Sequence, residues 1–112
     1  MPELPEVQTT VNGLQLIIKQ KITSIKINTH KLRYLIPKNI NKIANNRKIL
    51  KIYRIAKYIL MDLTGNITLI IHLGMSGRIK LLKISDYKEN TYDHIIFHLN
   101  VKNILVFNDP RK

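Results

Sequence analysis

The sequence predicts a mainly β fold, with antiparallel strands, a long N-terminal helix and a second, short helix. Three observations carry this expectation. Apolar residues first recur at steps of three and four, the repeat changes to two after Gln20, and turn-forming residues separate the short apolar runs that follow.

The first helix is predicted from Pro5 to Lys19, because Leu4, Val7, Val11, Leu14 and Ile18 fall on one helical face. Proline suits a first turn, where no intrahelical hydrogen bond is lost, and Glu3 and Glu6 put negative charge near the partly positive helix start. Gly13 sits inside this helix at modest cost. Ile25 and Ile27 then alternate with Ser24, Lys26 and Asn28, which marks a strand. Ile40, Ile43 and Ala44 have helical spacing, so a short helix is expected from Asn39 to Asn45. Further strands are expected at Lys48 to Ile55, Tyr58 to Leu63, Ile67 to Leu73, Arg78 to Leu82, His94 to Leu99 and Ile104 to Phe107. Thr64-Gly65-Asn66 and Asn100 to Asn103 have hairpin-turn composition, so the pairing should be mainly antiparallel. Ser85 to Tyr92 is polar and expected to be an exposed loop.

A chain of 112 residues can bury a real core in one domain and is too short for two ordinary ones. With 45% hydrophobic residues it has a globular composition, and no apolar run approaches the roughly 18 residues of a membrane span. A soluble, cytoplasmic protein without membrane partners is expected. There are no cysteines, which excludes disulfides and thiolate metal sites within these residues. The formal net charge is +12, and twelve basic residues lie between Val7 and Met61 without one acid. Such a balance suits a polyanionic partner. An AT-rich coding sequence would also enrich Lys, Ile and Asn, so charge alone does not decide between the two.

The chemistry concentrates at the start of the chain. Methionine followed by a small residue is a substrate for methionine removal, which would free the nitrogen of Pro2. A proline at a mature N-terminus is a secondary amine, able to attack a sugar C1′ and give an iminium. With an α-amino pKa of roughly 8, part of it is unprotonated near neutral pH. Met-Pro is also a common opening and by itself says nothing more.

The run Pro2-Glu3-Leu4-Pro5-Glu6-Val7 resembles the opening of the formamidopyrimidine-DNA glycosylase family (Fpg, also called MutM). Ala56-Lys57-Tyr58, His72-Leu73-Gly74-Met75-Ser76-Gly77 and Asp109-Pro110-Arg111 follow in that family's order and at about its spacing. The sister endonuclease VIII type usually has glycine at the position of Leu4, so the resemblance favours the Fpg branch. It implies a two-layer antiparallel β-sandwich flanked by the N-terminal helix and the short second helix, in agreement with the pattern above.

The resemblance also implies roles. Pro2 would be the nucleophile, and Glu3 the acid that protonates the deoxyribose ring oxygen, a sensible neighbour for an amine that forms an imine. Glu6 would help arrange the site, although helix-end electrostatics explains it nearly as well. Lys57 would bind a phosphate beside the lesion, and His72 would approach backbone phosphate. Their plain alternatives are a solubilising lysine and a sheet-end histidine. Met75, in a glycine-flanked loop, would fill the space left by a flipped nucleotide. Arg111 would pair with the orphaned base. Ordinary loop packing is the alternative for Met75.

Two departures accompany the match: Lys112 stands where the second arginine is usual, and the aromatic wedge expected just after it falls beyond Lys112. Family members continue with a helix-two-turn-helix element and a four-cysteine zinc finger, so residues 1–112 would be the N-terminal catalytic domain alone. No cofactor is expected in it, and the structural zinc would belong to the absent finger. The implied function is base-excision repair by a bifunctional glycosylase and AP lyase. The complete enzyme would remove 8-oxoguanine and formamidopyrimidines and cleave the abasic site by β,δ-elimination through the Pro2 Schiff base. Its partner would be double-stranded DNA containing oxidised purines or abasic sites, approached by a bacterial monomer. The alternatives are a truncated, noncatalytic DNA-binding remnant and a basic RNA-binding domain.

Overall fold

A computed structural model describes residues 4–28, 37, 39–100 and 102–111. Helix α1 spans Leu4–Leu14 and buries Val7, Val11 and Leu14. Full burial of such side chains stabilises by about 1.5–3 kcal/mol each. The expected helix to Lys19 tightens instead into a 3-10 turn at Gln15–Ile17. Lys19 takes a positive φ of 79° and its amide donates to the Ile49 carbonyl at 2.7 Å, so a tertiary hydrogen bond ends the helix early.

Strand β1 (Lys21–Ile27) follows, then the short helix α2 (Ile40–Ala44), both where the sequence predicts them. Asn41 on α2 accepts from the Ile25 amide at 2.5 Å and donates to the Ile25 carbonyl at 2.6 Å, so its amide side chain occupies the edge of β1. The remaining strands are β2 (Arg47–Ile55), β3 (Tyr58–Leu63), β4 (Ile67–His72), β5 (Arg78–Lys83), β6 (Asp93–Leu99) and β7 (Asn103–Asn108). Each lies within a residue of its predicted bounds.

Among the described residues the strands form one antiparallel ladder in the order β4-β3-β2-β1-β6-β7-β5. The β1–β2 joint is short, with Lys21 opposite Lys48 and Ile22 opposite Arg47. Around it the ladder folds into two layers, β2-β3-β4 and β1-β6-β7-β5. They share one core that includes Ile49, Ile52, Ile59, Met61 and Leu63 from the first and Ile22, Ile25, Phe97, Leu105 and Phe107 from the second. The sandwich is therefore a single folded ladder. Helix α1 packs against β2, β3 and β5 and so bridges the two layers.

Burial alternates along β4, as for a strand with one wet face. In β7 the four residues Ile104 to Phe107 are all buried. The reason lies outside the sandwich core: Ile96, Ile104 and Val106 form a second cluster with Leu82 and Tyr87 on the opposite face. The polar stretch Ser85 to Tyr92 is mostly exposed as expected, yet its Tyr87 packs against this cluster.

Candidate functional site

Pro5 and Glu6 open α1, whose buried Val7 and Val11 fix the helix on the sheet. A cleft of about 350 Å³ is lined there by Pro5, Glu6, Thr9 and Thr10 from α1, by Leu73 just after β4 and by Arg78 at the start of β5. Across it Glu6 Oε2 lies 4.0 Å from Arg78 Nη2, with both side chains more than half exposed. A pair so exposed contributes about 1 kcal/mol at most, so it orients more than it stabilises. Pro2 and Glu3, the expected nucleophile and acid, lie outside the described residues.

Lys57 sits in the two-residue connection between β2 and β3, with Ile55 opposite Tyr58 and Ala56 at a positive φ of 52°. Arg54 ties this turn to α1: its Nε donates to Gln8 Oε1 at 3.1 Å and its Nη1 to the Ala56 carbonyl at 2.8 Å. Tyr58 lies opposite His72 on β4, with ring centroids 5.0 Å apart. Lys57, half-buried, and His72, exposed, thus share one end of the first layer.

The loop after β4 is anchored by buried Leu73, turns through Gly74 at a positive φ of 66°, and presents Met75 at 58% exposure. Gly77 closes it, donating its amide to the Leu73 carbonyl at 2.8 Å. The segment after β7 comes alongside. Arg111 Nη1 reaches to 3.7 Å from Met75 Sδ, so two of the expected DNA-contacting residues touch each other.

Sequence reasoning gave no role to the groups that join these two segments. Asp109 is 1% exposed; its Oδ1 accepts the Ser76 hydroxyl at 2.5 Å and the Arg111 amide at 3.0 Å. His94, also buried, places Nε2 2.7 Å from the Asp109 carbonyl. The signal for Asp109 was present: an aspartate two residues before a turn residue, with proline between, favours a side-chain-to-backbone turn. Its burial depends on long-range packing and left no trace in the local pattern.

Glu6, Lys57, His72, Met75 and Arg111 therefore gather around one end of the sandwich, together with Arg54 and Arg78. A larger apolar cleft of about 540 Å³ lies between β4 and the second layer, and among its described lining only Thr68 and His72 are polar. Among the described residues its lining holds no carboxylate. Among the described residues no three His, Cys, Asp or Glu side chains gather where a metal could sit. With no cysteine in residues 1–112, a four-cysteine zinc site does not fit this chain. No helix among the described residues is long and apolar enough to cross a membrane.

The sequence model of the formamidopyrimidine-DNA glycosylase N-terminal domain matches residues 1–112. The chain belongs to this family. It is 40% identical over its whole length to the formamidopyrimidine-DNA glycosylase of Rickettsia felis and 42% identical to that of Wolbachia pipientis subsp. Culex pipiens. In both cases it spans 41% of the relative's length. Fpg (MutM) of Lactococcus lactis, solved with a FAPY-dG containing DNA, superposes with a TM-score of 0.88 at 29% identity, covering 97% of this chain and 41% of that one. MutM in complex with carbocyclic 8-oxo-G containing DNA gives a TM-score of 0.89 at 30% identity, over 99% of this chain and 42% of the other. The mainly β, two-layer fold expected from the sequence is thus the fold of the Fpg N-terminal domain.

Proposed function

We propose that residues 1–112 are the nucleophile-bearing domain of a bacterial, cytoplasmic DNA glycosylase and AP lyase acting on duplexes with oxidised purines or abasic sites. The observation that carries this is the meeting of Met75 and Arg111, with Met75 on the loop whose flanking Leu73 and Arg78 line a cleft with Pro5 and Glu6 of α1. Relatives solved with FAPY-dG and 8-oxo-G containing DNA support the lesion class.

In this reading the freed Pro2 nitrogen attacks C1′, the bond to the damaged base breaks, and Glu3 protonates the ring oxygen as the sugar opens to the iminium. Elimination at the 3′ and then the 5′ side follows from that iminium. Lys57 and His72 hold phosphates, Met75 fills the gap left by the flipped nucleotide, and Arg111 faces the orphaned base. Glu6, through Arg78, keeps the helix start against the loop that carries Met75.

Borohydride trapping with abasic-site DNA tests this reading. The expected result is a covalent adduct that disappears in Pro2→Gly and when Met1 is retained. Binding of abasic-site DNA without an adduct leaves a noncatalytic remnant. Lesion-indifferent binding of any RNA, falling steeply with salt, leaves a basic RNA-binding domain. Either outcome overturns the proposal.

A further inference from the structure

We infer that Asp109 is a positioning residue that locks Met75 and Arg111 together as one two-pronged probe of the duplex. What the prongs touch rests on the glycosylase reading; the tie between them does not. A buried carboxylate is costly unless its oxygens are hydrogen-bonded. Asp109 is 1% exposed, and one oxygen, Oδ1, accepts both from the Ser76 hydroxyl and from the Arg111 amide. Ser76 directly follows the first prong, and Arg111 is the second. The oxygen therefore sets the relative position of two segments that are 33 residues apart in the chain.

The geometry around the tie leaves little freedom. Pro110 fixes its own φ, and the hydrogen bond that the Arg111 amide donates to the Asp109 carboxylate two residues back selects one turn. His94 Nε2 holds the Asp109 backbone from the buried side at 2.7 Å. The prong tips then meet, Arg111 Nη1 at 3.7 Å from Met75 Sδ. Filling a vacated base site and facing the orphaned partner happen on two sides of one gap in the stack. A misplacement of about 1 Å in such a paired task can cost roughly 100-fold. Asp109 and Ser76 set that spacing by holding the prongs.

Methyl NMR tests the tie without relying on activity, since the chain has three methionines and Met61, at 0% exposure, reports the core. In Asp109→Ala and Ser76→Ala the Met75 methyl signal should move towards the free-chain position while that of Met61 stays. Exchange of the Arg111 amide should quicken roughly tenfold in Asp109→Ala, the loss of one hydrogen bond to a carboxylate. Asp109→Asn keeps Oδ1 and should restore both signals. On abasic-site duplexes, Asp109→Ala should flatten the ratio of adduct yields across the four opposite bases to the level of Arg111→Ala, and Asp109→Asn should retain it. A folded Asp109→Ala chain with native Met75 and Arg111 signals overturns the inference. If Asp109→Ala loses the Met61 signal, Ser76→Ala decides: an unmoved Met75 methyl there overturns the inference and a moved one supports it. If the unsubstituted chain forms no adduct but the NMR changes occur, the glycosylase reading fails and the tie stands.

Discussion

Gly77 and Leu73 approach so closely that a Cβ on Gly77 would stand 2.2 Å from the Leu73 carbonyl oxygen and 2.8 Å from Phe107 Cε1. Backbone oxygen cannot step aside as a flexible side chain can. Gly77→Ala should therefore lower stability by about 1–3 kcal/mol and shift the Met75 loop. Urea denaturation of the two chains checks the first, and the Met75 methyl signal the second. An unchanged midpoint would mean that the loop is not closed by this contact.

Ala56 holds a positive φ of 52° in the turn that carries Lys57, a conformation that costs a residue with a Cβ about 1–2 kcal/mol. Ala56→Gly should raise stability by about 0.5–1 kcal/mol, because glycine's larger unfolded-state entropy offsets part of the relief. Thermal melts give the sign directly.

Tyr87 donates its hydroxyl to Asp93 Oδ2 at 2.8 Å, and Asp93 is buried. Burial, followed by the Asp93 hydrogen bond and charge, pushes the Tyr87 phenol up to about 12 from its usual 10.0. A raised acid pKa means that the unfolded chain loses its proton first on going alkaline. The stabilisation is complete below pH 10 and drains away between pH 10 and about 12. Tyr87→Phe should cost about 2 kcal/mol at neutral pH, since it removes a donor from a buried carboxylate. Its deficit against the unsubstituted chain should shrink across that alkaline window, measured by denaturation at fixed pH steps. A deficit constant up to pH 12 would sink the assignment.

If Lys57 meets a phosphate, Lys57→Ala should weaken duplex binding uniformly across sequences. The slope of log affinity against log salt should fall by about 0.9. Fluorescence anisotropy at several salt concentrations reads both, and an unchanged slope would return Lys57 to a solubilising role.

Local pattern carried most of the fold, and the reasons differ by element. Tyr58 to Leu63 is legible because a short, mostly apolar run ends there at the turn residues Thr64-Gly65-Asn66. The helix end was not, because the Lys19–Ile49 hydrogen bond depends on a strand thirty residues further on. The buried polar groups Asp93, His94 and Asp109 escaped for the same reason: their partners come from other loops and strands. At the candidate site, Met75 and Arg111 were legible through motif resemblance, whereas their mutual contact was not. Pro2 and Glu3 lie outside the described residues, so their proposed chemistry rests on residue type and family resemblance.

Under the proposed function, the two-layer ladder also governs how the surface would meet a duplex. Lys57 and His72 ride on one layer and Arg111 on the other, while the loop holding Met75 crosses between them. Packed sheets lie about 10 Å apart, a spacing set by side chains such as Ile59, Met61 and Phe107. In the proposed glycosylase reading, the thickness of the hydrophobic filling is thus a ruler for the nucleic-acid footprint, and thinning it should detune the proposed phosphate contacts of Lys57 and His72 relative to Met75 and Arg111 even with every polar contact left in place.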